Sequence, residues 1–182
     1  MAEITVSVFG TSRTQPGEPI FDVAEQLGCA LAEAGFVVAN GGYGGTMLAT
    51  SKGAAEAGGT VVGVTCSAFK NSVVNEYVTR EVRTDSLDER LATLVEIGQA
   101  YVVLPGGTGT LLELAMVWEL KNKRFLDQAH AIVLLGDFWQ PLVDLVATDD
   151  PRSTGRITLA REPAEVVECI RKTLGSKLGA QQ

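Results

Sequence analysis

At 182 residues with 46% hydrophobic content, the chain is long enough to bury one full-sized core and short for two, so a single domain spanning 1–182 is expected. Its 22 acidic residues against 15 basic ones leave a formal charge of −7. That balance repels a polyphosphate backbone and argues against a nucleic-acid partner, so an anionic ligand has to be small and held locally.

Ile4 to Phe9 is β-rich and ends at Gly10-Thr11-Ser12, after which Pro16, Gly17 and Pro19 mark a loop. From Phe21 to Ala34 apolar residues recur at helical spacing, with Gly35 as the stop. A short strand at Val37 to Ala39 feeds Asn40-Gly-Gly-Tyr-Gly-Gly-Thr46, and a small-residue helix runs from about Met47 to Ala57, its Ala-rich face suited to packing on a sheet. Thr60 to Val64 reads as the third strand and Cys66 to Thr79 as a loop over one end of the sheet. Asp85 or Ser86 caps a helix through Ile97. Ala100 to Leu104 is a continuous apolar run fit for a central strand, and Pro105-Gly-Gly-Thr-Gly-Thr110 opens a helix reaching about Lys123. A strand at Ala131 to Leu135, a helix at Pro141 to Ala147, a short strand at Ile157 to Leu159 and a helix from Glu162 to Leu174 complete the pattern, with Gly175 to Gln182 expected to fray.

Strands alternating with helices predict right-handed crossovers: an α/β, three-layer Rossmann-like fold with a mostly parallel, doubly wound sheet. In such sheets ligands bind beyond the carboxyl ends of the strands, where the loops after Phe9, Ala39 and Leu104 all emerge. Cys29, Cys66 and Cys169 are isolated thiols without zinc-site spacing, so no metal is expected and a reducing cytoplasm fits. The N-terminus lacks a basic leader and no apolar stretch could span a bilayer, so a cytoplasmic protein without a membrane partner is expected.

The chemistry-bearing segment is Pro105-Gly106-Gly107-Thr108-Gly109-Thr110-Leu111-Leu112-Glu113, set between a buried strand and a helix. Glycines let the backbone approach an anion. Free N–H groups at the helix start, its positive dipole end and the Thr108 and Thr110 hydroxyls then make a phosphate site that needs no lysine. Two readings stay open here, because Thr110-x-x-Glu113 could equally be a capping box and the glycines mere turn-formers. Gly41, Gly42, Gly44, Gly45, Thr46 and Met47 form a second candidate loop, and Gly10, Thr11 and Ser12 a third. The spacing fits neither the dinucleotide fingerprint nor a GxxxxGK[ST] loop. Arg90, in Ser86-Leu-Asp-Glu-Arg90, would on spacing alone be a solvated helical arginine. His130 reads as a surface residue, Trp118 as core or interface, and Glu76 as a solvated loop acid.

Pro105-Gly-Gly-Thr-Gly-Thr-Leu-Leu-Glu113 resembles the PGGxGTxxE signature of the LOG family, with Arg90 at the family's spacing upstream of the proline. The second loop is similar to the family's GGGxxGLMG element, with Asn40 in place of its first glycine and Thr46-Met47-Leu48 in place of Leu-Met-Gly. Leu91 follows Arg90 where cytokinin-activating members carry lysine. The resemblance runs from the first strand to about Asp144. It implies hydrolysis of the N-glycosidic bond of a nucleoside 5′-monophosphate by a homodimer without a cofactor, with Glu113 and Arg90 as catalytic residues and the three glycine loops binding substrate. Relatives of this fold that bind a molybdenum cofactor make a non-catalytic carrier the alternative. No lysine lies in a recognisable pyridoxal phosphate context, so the older lysine decarboxylase label is not expected to hold.

Overall fold

The computed structural model describes residues 3–179. Seven strands form one sheet: β1 (Thr5–Phe9), β2 (Val37–Asn40), β3 (Val61–Cys66), β4 (Arg80–Thr84), β5 (Ala100–Val103), β6 (Ala131–Leu135) and β7 (Thr158–Ala160). Their spatial order is β4-β3-β2-β1-β5-β6-β7 and every neighbouring pair is parallel. The connecting helices are α1 (Pro19–Glu33), α2 (Thr46–Glu56), α3 (Leu87–Ile97), α4 (Thr108–Asn122), α5 (Gln140–Ala147) and α6 (Pro163–Gly179). The expected three-layer, doubly wound α/β fold is the observed one.

The layers follow from the period-two alternation of strand side chains. Ala100, Val102 and Leu104 share a core with Phe21, Leu27 and Leu31 of α1, Ala49 and Ala54 of α2, and Val166 and Ile170 of α6. Tyr101 and Val103 face the other way, into a core with Leu94 of α3, Leu114, Val117 and Trp118 of α4, and Val143 of α5. Both faces of β5 are therefore buried, which is why its sequence is apolar without interruption. Trp118 belongs to this core, its indole N–H donating to the Ser153 carbonyl at 3.0 Å.

From β1 the chain steps outward to β2, β3 and β4, then returns over the sheet through α3 to lay β5 on the other side of β1. That reversal opens a crevice at the carboxyl ends of β1 and β5. The two loops leaving it run together, with the Leu104 N–H donating to the Phe9 carbonyl at 2.8 Å and the Thr11 N–H to the Pro105 carbonyl at 3.1 Å.

Four features depart from the sequence reading. β4 was not expected, because Arg80-Glu-Val-Arg-Thr84 has little apolar content; it is an edge strand whose polar groups face solvent while its backbone pairs with β3, helped by a Thr84 hydroxyl bond to the Thr65 carbonyl at 2.7 Å. α1 starts at Pro19 rather than Phe21, since a proline in the first turn has no N–H to lose and a preset φ. α2 is packed tightly against α1 as well as the sheet: a Cβ on Gly28 would collide with the Thr50 carbonyl and one on Gly53 with the Glu25 carbonyl. α6 continues to Gly179 where fraying from Gly175 was expected, and 180–182 lie outside the described residues. No described helix is long and apolar enough to cross a membrane.

Candidate active site

The turn from β5 into α4 is held from beneath. Trp139, buried after β6, donates its indole N–H to the Leu104 carbonyl at 3.0 Å, anchoring the residue before Pro105. The N-cap of α4 is Gly107, and no side chain caps it. The capping-box reading of Thr110 and Glu113 therefore fails, since both lie inside the helix, and the amides of the first turn have no side-chain acceptor. Gly106 is small because a Cβ would strike the Thr110 side chain. Gly107 is the N-cap, where glycine is common, but Gly109 in the first turn has no such reason: nothing lies within 4 Å of a Cβ placed on it, and its φ is not positive. A glycine in a helical first turn is unfavourable by about 0.5–1 kcal/mol against alanine, so open space before a bare backbone points to a ligand that must come close.

Glu113 follows on α4, beyond the first turn, with its side chain only 16% exposed. Among the described residues no donor lies within hydrogen-bonding distance of its carboxylate; the nearest cation is Arg90, whose Nη1 stands 4.0 Å from Oε1. Burial pushes the Glu113 carboxyl up to about 7, against the downward pull of the Arg90 charge. A carboxyl in that range exchanges a proton near neutral pH and can serve as a base.

Arg90 is buried, contrary to what its spacing alone suggested. Ser86 caps α3 by accepting from the Glu89 N–H at 3.1 Å, while the Glu89 carboxylate reaches back to the Asp85 N–H at 2.7 Å. This start aims Arg90, one turn on, at the sheet edge. Its Nε donates to the Val64 carbonyl at 2.8 Å, and its guanidinium carbon lies 5.6 Å from the Tyr43 ring centre and 5.7 Å from that of Phe69. The single 4.0 Å approach to Glu113 is not the bidentate contact one might expect of an arginine beside a carboxylate.

The second glycine loop is largely architectural. Asn40 is fully buried: its amide N–H groups donate to the Met47 carbonyl and the Thr50 and Ser51 hydroxyls at 3.2, 3.1 and 3.0 Å, and its Oδ1 accepts from the Gly42 N–H at 2.8 Å. Gly41 clears space for Arg90, because a Cβ there would overlap the guanidinium. Gly45, at φ +67°, lies so close to Thr11 and Ser12 that no side chain fits. Thr46 turns both its N–H and its hydroxyl to the Thr11 carbonyl, at 2.8 and 3.0 Å. Gly41, Gly42, Gly45 and Thr46 are thus buried behind the crevice, and Gly44 is exposed away from its lining. The Gly42 N–H and both the N–H and hydroxyl of Thr46 are bonded inside the protein, and Tyr43 and Met47 are this loop's contribution to the cavity wall.

The cavity at the sheet's switch point measures about 650 Å³. Gly10, Thr11 and Ser12 form one wall, Pro105 through Thr110 another, and Glu113, Arg90 and Met47 the interior. Thr110 is buried beneath the turn while Thr108 is exposed at its rim.

Residues 3–167 match the family described as SLOG cluster4. The chain belongs to this family. Its similarity to the LOG proteins extends well beyond the glycine motif. The cytokinin riboside 5′-monophosphate phosphoribohydrolase of Rhodococcoides fascians is 30% identical over 176 residues, covering 92% of this chain and 89% of that protein. The protein of the same name from Mycobacterium marinum is 33% identical over 138 residues, covering 74% and 71%. Among solved structures, the molybdenum cofactor binding protein of Rippkaea orientalis superposes with a TM-score of 0.78 at 26% identity, covering 94% of this chain and 98% of the other.

Several residues of this SLOG family site were not singled out in the sequence. Tyr43, Phe69, Ser72, Phe138, Arg13 and Ile20 also line the cavity. Phe69 and Ser72 come from the loop after β3 and Phe138 from the loop after β6, and no spacing rule ties those loops to the glycine turns. The Tyr43 hydroxyl accepts from the Cys66 N–H at 2.8 Å, fixing its ring at the base of the site. Glu76 is exposed and outside the cavity, as expected. His130 is half-buried, with its ring edge-on to Tyr101 at 6.2 Å. Among the described residues no cluster of three or more His, Cys, Asp or Glu could hold a metal.

Proposed function

We propose that the protein hydrolyses the N-glycosidic bond of a nucleoside 5′-monophosphate, giving free base and ribose 5-phosphate. The observation that carries this reading is Glu113: a largely buried carboxyl pushed to about 7, without a hydrogen-bonding partner among the described residues, inside the cavity that the Pro105–Thr110 turn opens onto. The cavity volume of about 650 Å³ suits a ligand of mononucleotide size. The names of the relatives from R. fascians and M. marinum support the same chemistry.

In this mechanism the first-turn amides of α4, with the Thr108 and Thr110 hydroxyls, hold the 5′-phosphate. Binding energy from that remote group positions the ribose beside Glu113. As the C1′–N bond lengthens, its electron pair leaves with the base and positive charge grows on the sugar, which ionised Glu113 stabilises. The same carboxylate takes a proton from water, whose oxygen bonds to C1′, and then gives that proton to the departing base nitrogen, which leaves Glu113 ionised for the next turnover. Arg90 holds the acid in a charged environment and faces the sugar oxygens. By resemblance to the LOG family, the working form is a homodimer.

Incubating the purified protein with a panel of nucleoside 5′-monophosphates, and separating the products by chromatography, tests the proposal. Free base and ribose 5-phosphate in equal amounts are the expected result. The likeness to the R. orientalis protein favours one other reading, a carrier of a phosphorylated cargo, for which nucleotide or cargo binding would persist and no base would appear across the panel.

A further inference from the structure

Among the described residues, three charged ones line the cavity: Arg13, Arg90 and Glu113. Two of them offset one another, since ionised Glu113 faces Arg90 at 4.0 Å. What remains beside the glycine turn is the amino end of α4, worth roughly half a positive charge. A phosphate monoester brings about 1.5 to 2 negative charges at neutral pH. The site as built by the turn, Arg90 and Glu113 is therefore short of roughly one positive charge, and in a chain of net charge −7 the bulk of the protein does not supply it.

Arg13 is placed to do so. The loop after β1 that carries it is braced at the backbone: the Arg13 N–H donates to the Thr11 hydroxyl at 3.2 Å, and its carbonyl accepts from the Gln15 side-chain amide at 3.3 Å. The next residue, Thr14, is buried and its hydroxyl donates to Glu18 at 2.8 Å, so that acid of the same loop already has a partner. Through Thr11 the same loop is bonded to Pro105 at the start of the phosphate turn. The Arg13 guanidinium itself pairs with no carboxylate among the described residues, although it lines the cavity. A braced backbone with an exposed, unpaired cation at its tip differs from Arg90, which is buried, donates its Nε to the Val64 carbonyl and has its charge offset by Glu113 at 4.0 Å.

We propose that Arg13 is the phosphate-recognising cation of the site, completing the charge that the α4 turn provides in part and selecting ligands that end in a phosphomonoester dianion. The inference rests on the reading that the Pro105–Thr110 turn takes the phosphoryl group. It makes Arg13 a binding and specificity residue that does not touch the reacting bond, so its removal raises KM for a nucleoside monophosphate by more than it lowers kcat.

Titration calorimetry with ribose 5-phosphate, and separately with adenosine, tests it on the full chain and on the Arg13→Ala and Arg13→Lys variants. Arg13→Ala is expected to weaken ribose 5-phosphate about tenfold, the low end for a charge-assisted hydrogen bond because the side chain is exposed and salt-screened. Arg13→Lys recovers most of that loss, adenosine binding stays the same in all three proteins, and thermal midpoints coincide. Equal binding of ribose 5-phosphate by wild type and Arg13→Ala, or an equal loss for adenosine, overturns the role of Arg13 while base release by the wild type still stands. A wild-type protein that binds no ribose 5-phosphate and releases no base overturns the parent reading together with this one.

Discussion

Arg90 and Glu113 sit on different helices, with Nη1 and Oε1 4.0 Å apart. The gap is short enough for the charges to act on each other and too long for a hydrogen bond. Arg90 does not depend on Glu113 for its position, because the Val64 carbonyl and the Tyr43 and Phe69 rings hold it. The carboxylate oxygens are thereby left open to a water molecule and a sugar, which is what the proposed hydrolysis needs.

Replacing Glu113 by Gln should lower base release by about 10² to 10⁴, the usual worth of a positioned general base. Affinity for a nucleoside monophosphate should change only a few-fold, since the α4 turn and its neighbours are untouched. Chromatographic turnover assays beside calorimetry would show this split. Turnover that survives the change removes Glu113 from the mechanism.

The pH dependence follows from the same residue. Activity requires ionised Glu113, so it should rise with pH through a midpoint near 7. Arg90→Gln removes the one charge that favours ionisation and should move that midpoint upward. Stability runs the other way. The folded-state pKa lies above the ordinary carboxylate value of 4.5, so the fold binds the extra proton between there and about 7. The stabilisation is full below the lower value and lost as pH rises through the upper one, a change of up to about 3 kcal/mol. Urea unfolding at mildly acidic and mildly alkaline pH should show that slope in the wild type and a flatter one in Glu113→Gln.

Gly109→Ala should separate stability from binding. With open space around the new methyl group, the helix gains about 0.5–1 kcal/mol. The methyl would stand where a phosphate oxygen approaches the backbone, so nucleotide affinity should fall by about tenfold or more, as for one lost charge-assisted hydrogen bond. A raised thermal midpoint with weaker calorimetric binding is the expected pair of results; unchanged affinity would mean that the turn does not meet the ligand.

Asn40→Ala should cost about 2–3 kcal/mol, because it strands the buried Gly42 N–H and removes the bonds to Met47, Thr50 and Ser51. Arg90 and Met47 lean on this loop, so turnover should drop along with the denaturant midpoint. A variant with wild-type stability would show that the loop is held from elsewhere.

Much of this site was written locally. A glycine-rich turn between an apolar strand and a helix is a short-range pattern, and the amides at a helix start are uncapped wherever no acceptor side chain precedes them, so Pro105 to Glu113 could be read directly. Period-two alternation and helical spacing likewise exposed most elements to within two residues, because they reflect burial of one face against a core. Asn40 was read only as a departure from a glycine motif, for its four partners become visible only once α2 is folded back against the end of β2.

The residues alone determined an alternating α/β chain, where its strands turn, and which turns are bare enough to meet an anion, since each of these depends on neighbours a few positions away. Only the tertiary structure decided that Arg90 is buried and faces Glu113, that Arg80–Thr84 forms an edge strand, and that Arg13, Tyr43, Phe69 and Phe138 share one cavity with the phosphate turn. Those relations join segments far apart in the chain, and they come from the reversal of strand order about β1, which no local spacing encodes.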